Sequence, residues 1–198
     1  MQLLLATHNE HKRREFQRIL AHQAPGAIEL QMLPGDFVLP PEDGETFAEN
    51  ALGKARAAAR GSGRAAIADD SGIAAAALGG APGVRSARYA GEEASDEENL
   101  ALLLREAPAG SGLEYVCVIA YVDPSSGAEQ LFEGRCAGRL AAEPRGAGGF
   151  GYDPAFLPDE GPGGMTMAEL SDEQKDEISH RGRAAAELVA WLGGTGLL

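Results

Sequence analysis

Apolar positions along this chain change their period from segment to segment, and each change marks an element. Leu3, Leu4, Leu5 and Ala6 form an unbroken apolar run that reads as a buried strand. The polar stretch 7–12 reads as a loop. Phe16, Ile19 and Leu20 then recur at helical spacing, predicting a helix over about 12–22. Residues 28–33 read as a second strand, and 34–44, rich in proline, glycine and acid, as a loop. Thr46 stands three before Glu49, the spacing of a capping box, and opens an alanine-rich helix to about 61. Ile67 lies in the next strand, which is expected to end on Asp69, Asp70, Ser71 and Gly72. Residues 72–83, apolar and punctuated by glycine, read as strand and turn.

Ser95 with Glu98 is a second capping box and starts a helix through 104. Residues 113–122 and 129–136 read as a hairpin turning at 123–127. Residues 146–152 are a glycine-rich loop. Ser171 with Gln174 is a third capping box, predicting a single helix to about 192. Strands alternating with helices, plus one hairpin, predict an α/β protein with a mixed sheet. The length of 198 residues suits one domain or two lobes.

Charge narrows the function classes. The net charge of −13 argues against a nucleic-acid polymer as partner, since that needs a basic face. No apolar run approaches a membrane span, and the start lacks the basic region of a signal peptide. Cys117 and Cys136 sit in apolar, strand-like contexts, as free thiols in a reducing cytoplasm do. With no Cys-x-x-Cys and only scattered histidines, zinc is not expected. A small anionic substrate fits an acidic chain if cations are placed locally. Lysine is scarce, three against fourteen arginines, and Lys12, Lys54 and Lys175 each fall in a segment notable on other grounds. Lysine is a compact point charge suited to phosphate.

Five constellations could carry chemistry. Asp69-Asp70-Ser71-Gly72 at a strand end suits Mg²⁺ binding and activation of water, although these are also ordinary turn residues. The loop 7–12 leads into a helix N-terminus, where free N–H groups favour an anion; Thr7, Asn9 and Lys12 add donors, and Asn9 equally reads as a plain cap. Glu42, Asn50 and Lys54 form a third group: the capping box explains Glu49, while Asn50 and Lys54 share a helix face. Glycines on both sides of Phe150 leave its ring able to stack on a flat ligand, with Asp153 as acceptor; a core role for Phe150 is the plain alternative. Lys175, Ser179, His180 and Arg181 supply donors on the last helix, or merely a solvated face.

Taken together and in order, these segments resemble the inosine triphosphate pyrophosphatase family over nearly the whole chain. The carriers are Thr-x-Asn-x-x-Lys at 7–12, Thr46-Phe47-x-Glu49-Asn50-Ala51 with Lys54, and Ala68-Asp69-Asp70-Ser71-Gly72. To these add the run from Leu78 to Val84 with Ser86-Ala87-Arg88-Tyr89, then Gly149-Phe150-Gly151-Tyr152-Asp153-Pro154, then Ser179-His180-Arg181. One departure is His8, where the family usually has glycine. A position needing positive φ suits glycine better, whereas one beside phosphates gains a donor.

The resemblance implies a long bent mixed β-sheet with flanking helices, in two lobes around a nucleotide cleft. It implies a cytoplasmic, Mg²⁺-dependent homodimer that converts ITP, dITP and XTP to monophosphate and pyrophosphate. Carried onto this chain, Asp70 is the general base and a metal carboxylate, with Asp69 and Glu42 as the other metal ligands. Thr7, His8, Asn9, Glu10, His11, Lys12 and Lys54 hold phosphates, and Ser71 touches substrate. Phe150, Gly151, Tyr152, Asp153, Lys175, His180 and Arg181 hold base and sugar. A donor at His180 or Arg181 facing the purine 6-position accepts a 6-oxo group and mismatches a 6-amino group. The alternatives are a related pyrophosphatase acting on other modified nucleotides, and a non-enzymatic nucleotide-binding protein.

Overall fold

Three helices begin where the sequence places their capping boxes. Thr46, Ser95 and Ser171 each accept a backbone N–H three residues on, and Glu49, Glu98 and Gln174 reach back to the cap. In the computed structural model, which describes residues 1–198, these are α2 (Phe47–Ser62), α3 (Asp96–Glu106) and α4 (Asp172–Ile178). The other elements are α1 (Glu10–Gln23), α5 (His180–Gly194) and strands β1 (Gln2–Leu5), β2 (Glu29–Met32), β3 (Ala66–Ala75), β4 (Gly112–Asp123), β5 (Ala128–Leu140) and β6 (Phe156–Pro158). The six strands form one sheet in the order β2-β1-β3-β4-β5-β6. β1 is parallel to β2 and β3, whereas β5 and β6 are antiparallel, so the sheet is mixed. No helix is long and apolar enough to cross a membrane.

The chain divides into two compact units. The first comprises Met1–Asp70, Cys117–Gly134 and Arg181–Leu198; the second, Ser71–Val116 and Arg135–His180. In the first unit both sheet faces are covered, and strand alternation sorts residues between them. Leu3, Leu5 and Ile67 pack with Phe16, Ile19 and Leu20 of α1 and Ala184, Leu188 and Leu192 of α5. Leu4, Ala6, Ala66 and Ala68 pack with Ala51, Ala55, Ala58 and Ala59 of α2. Burial on both faces is why residues 3–6 read as a continuous apolar run. In the second unit, Ile73, Leu103, Leu113, Tyr115, Leu140 and Phe156 are among the residues of a separate core.

Two expectations are corrected. β3 does not end at the aspartates but runs on to Ala75, and Gly72 is not in the left-handed region. The predicted helix over 171–192 is two helices. Ser179, extended at φ −69° and ψ 152°, closes α4 by donating its N–H to Lys175 O and stands immediately before α5. Serine favours such a boundary because its side chain competes with the helical backbone.

Candidate active site

Adjacent residues on a strand point to opposite faces, so Asp69 and Asp70 enter different surroundings. Asp69 shares the parity of Ile67 and faces α1 and α5. Its Oδ2 lies 3.1 Å from both Lys12 Nζ and Arg181 Nη2. Arg181 also pairs with Glu15 of α1. Burial alone would raise the Asp69 carboxyl, but Lys12, Arg181 and Lys54 outweigh it and hold the group well below the ordinary carboxylate range. Arg181 would be lowered by burial; Asp69 and Glu15 raise it further above its ordinary value.

Asp70 shares the parity of Ala66 and Ala68 and faces α2. Its Oδ2 accepts a hydrogen bond from Asn50 Nδ2 at 2.9 Å. Lys54, one helical turn on, donates to Glu42 and, at 2.6 Å, to the backbone carbonyl of Asp69. Burial raises the Asp70 carboxyl above its ordinary value and nearby Glu42 adds to this, against the lowering by Lys54, Lys12 and the Asn50 bond. Lys54 is raised as well: burial lowers it, but Asp69, Glu42 and Asp70 outweigh that, so it stays charged. A carboxylate with enhanced basicity therefore sits beside a buried ammonium.

The resemblance calls for Mg²⁺, and the donor chemistry can be tested. Nowhere are three or more His, Cys, Asp or Glu side chains gathered for an ion. Mg²⁺ does not need them, because it keeps waters and takes one or two carboxylates plus substrate phosphates. Glu42 and Asp70, hard oxygen donors of which Glu42 lies close enough to raise Asp70, fit that demand. Asp69 does not. Its Oδ1 has no hydrogen-bond partner, but its side chain has no exposed surface and its charge is met by Lys12 and Arg181. A hydrated ion that must also reach a phosphate cannot use it.

Residues 7–12 are more occupied than expected. Asn9 Oδ1 accepts the N–H groups of His11 and Lys12 at 2.9 and 3.0 Å, so it is the helix cap and those donors are taken. Thr7 Oγ1 accepts from Asn9 N, His8 Nε2 donates to Phe37 O, and Glu10 pairs with Arg13. His8 is not at positive φ, so histidine carries no backbone strain there. Lys12 is the member of the segment whose side chain reaches the carboxylate cluster.

The second unit holds its own buried polar cluster. Asp153 is its hub. Its Oδ2 accepts from Lys175 Nζ at 2.6 Å and Phe150 N at 2.9 Å, and its Oδ1 from Tyr115 Oη at 3.0 Å. The Tyr115 ring stacks on His180 with centroids 4.5 Å apart and planes within 10°. Lys175 Nζ lies 5.3 Å from the centre of the Phe150 ring, which is half-buried. Ser71 follows Asp70 on β3 and is also half-buried.

Several predicted contacts are redirected. Gly151 N donates to Asp96, and Tyr152 Oη to Ser86 O at 2.7 Å, so both brace the loop from within the protein. Asp153 organises its neighbours rather than offering an open acceptor. Arg181, 1% exposed, is committed to Glu15 and Asp69 instead of being presented as a base donor. Glu15 and Tyr115 lie outside the set of residues that the sequence singles out. Their signals are a charged residue on the apolar face of α1 and a hydroxyl within the apolar run of β4.

Fold and site together define an α/β protein with a cation-flanked carboxylate centre, a class suited to phosphate-bearing molecules. The chain belongs to the Ham1 family, whose model matches residues 3–191. It is 47% identical over 196 residues to a dITP/XTP pyrophosphatase of Leifsonia xyli, covering 97% of this chain and 96% of that protein. A dITP/XTP pyrophosphatase of Symbiobacterium thermophilum is 50% identical over 194 residues, covering 96% and 94%. The solved Staphylococcus aureus Ham1 protein superposes with a TM-score of 0.81 at 38% identity, covering 98% of this chain and all of that one.

Proposed function

We propose that this chain is a nucleoside triphosphate pyrophosphatase that hydrolyses deaminated purine nucleotides, ITP, dITP and XTP, to monophosphate and pyrophosphate. The observation that carries the reading is Asp70: a carboxylate raised by burial, held by Asn50, with Lys54 and Glu42 beside it. The relatives that bear the name dITP/XTP pyrophosphatase support the substrate class.

Splitting a phosphoanhydride needs charge neutralisation and an oriented water more than covalent chemistry. Asp70 accepts the proton of the attacking water, and its raised basicity suits it to that role. Lys54 and Lys12 offset the charge of the phosphate oxygens. Mg²⁺, held by Glu42 and Asp70, would supply further positive charge to those oxygens. Asp69 binds neither metal nor substrate; it fixes Lys12 and Arg181.

The cluster in the second unit receives the base. Phe150 offers a ring face for stacking, and Asp153 holds Lys175 and the Phe150 backbone in place. His180 donates to the 6-oxo acceptor of hypoxanthine or xanthine and mismatches the 6-amino group of adenine. A homodimer in the cytoplasm belongs to the same reading.

Product analysis with a panel of triphosphates, with and without Mg²⁺, tests it. The expected products are monophosphate and pyrophosphate, formed only with the metal. Stepwise release of single phosphates would contradict it.

A further inference from the structure

We propose that Tyr115 is a positioning residue for base recognition, its hydroxyl setting Asp153 and its ring face setting the plane of His180. The inference rests on the reading that this cluster receives the purine base. Tyr115 lies on β4, and its ring also packs on Phe156 of β6, with centroids 4.5 Å apart. Its own place is therefore set by the sheet. The two groups it positions sit at element ends. Asp153 opens a short 3₁₀ turn, and His180 is the first residue of α5, directly after the extended Ser179. Side chains on rigid elements hold a geometry better than those at element ends.

The two ends of Tyr115 do separable things. The hydroxyl donates to Asp153 Oδ1, leaving Oδ2 for Lys175 and Phe150 N. Without that donor the buried carboxylate, 3% exposed, can rotate and loosen Lys175 and the Phe150 loop together. The ring, parallel to the imidazole within 10°, sets the direction of any hydrogen bond His180 makes. Such bonds weaken steeply with misalignment, so the stack acts on the discrimination of 6-oxo from 6-amino purines. Phenylalanine keeps the ring and removes the hydroxyl; methionine removes both while filling much of the volume.

The test measures kcat and KM for ITP and ATP on the intact chain, with thermal melts as folding control. Tyr115→Phe is expected to raise KM for ITP about tenfold, with kcat and the ITP-over-ATP preference within about twofold. Tyr115→Met is expected to lower that preference by about tenfold as well. Asp153→Asn combined with Tyr115→Phe is expected to be no worse than Asp153→Asn alone, because the hydroxyl acts through that carboxylate. Tyr89→Phe removes a similar phenol–carboxylate bond, to Glu106, outside the cluster and is expected to match the parent.

Tyr115→Phe matching the parent, or effects that add fully with Asp153→Asn, would overturn the inference. So would a folded Tyr115→Met variant with the parent's preference. A parent that does not prefer ITP to ATP would contradict the proposed function itself, and this inference with it.

Discussion

Asp69 and Arg181 are each only 1% exposed, and their side chains meet at 3.1 Å in the core of the first unit. The pair is extended by Glu15 on Arg181 and by Lys12 on Asp69. A buried charge network of this kind is weak evidence of net stabilisation, but breaking it from one side strands the remaining charges.

Asp69→Asn should therefore destabilise the fold by about 3–5 kcal/mol near neutral pH. The sign with pH follows from the depressed carboxyl. A group whose folded pKa lies below its unfolded value gives stability that is present above the unfolded value, about 3.9, and lost as pH falls through the folded one. The gap between parent and variant should narrow in acid. Denaturant unfolding at a series of pH values checks this; a gap that widened below about pH 4 would refute it.

Asp70→Asn should do the opposite. The Asp70 carboxyl is raised by burial and by Glu42, so its charged form costs stability at neutral pH. Removing the charge should leave the melting temperature equal or higher while kcat falls at least about a hundredfold. Near-normal kcat in a folded variant would remove Asp70 from the role of base.

Lysine and arginine should not be exchangeable at Lys12 and Lys54. Lys54 is buried, with Glu42 and the Asp69 carbonyl at its ammonium, and a longer, planar guanidinium does not fit there. Misplacing a charge by an ångström can cost about a hundredfold in kcat/KM, the loss expected for Lys54→Arg and Lys12→Arg. Lys175→Arg should act more on KM. The exposed Arg60→Lys should match the parent. Equal kcat/KM for ITP across all four would require a different phosphate site.

Cys117 should be inert in the native protein. Burial, then the nearby Asp69 charge, pushes its thiol up to about 12. Labelling with a thiol reagent at neutral pH should proceed only on unfolding; rapid labelling of the native chain would contradict its burial.

Much of this architecture was legible where a local rule acts alone. The boxes at Thr46, Ser95 and Ser171 are set by side chains three residues apart, and all three formed. The helix break at Ser179 is not legible, because helical periodicity continues across it and the break depends on backbone geometry rather than apolar spacing. The two aspartates stand out in the sequence, with Asp70 as base and both as metal ligands at a strand end, but their opposite facing does not. Because β3 continues, its alternation turns Asp69 toward Lys12 and Arg181 and Asp70 toward Asn50. Glu15 and Tyr115 act through partners 166 and 38 residues away, separations that no local pattern encodes.

The decisive measurement is kcat/KM for ITP, dITP, XTP and ATP on the purified chain with Mg²⁺, following pyrophosphate. Efficient turnover of ITP, dITP and XTP and poor turnover of ATP are expected, with each pyrophosphate matched by one monophosphate. Equal turnover of ATP and ITP would contradict it.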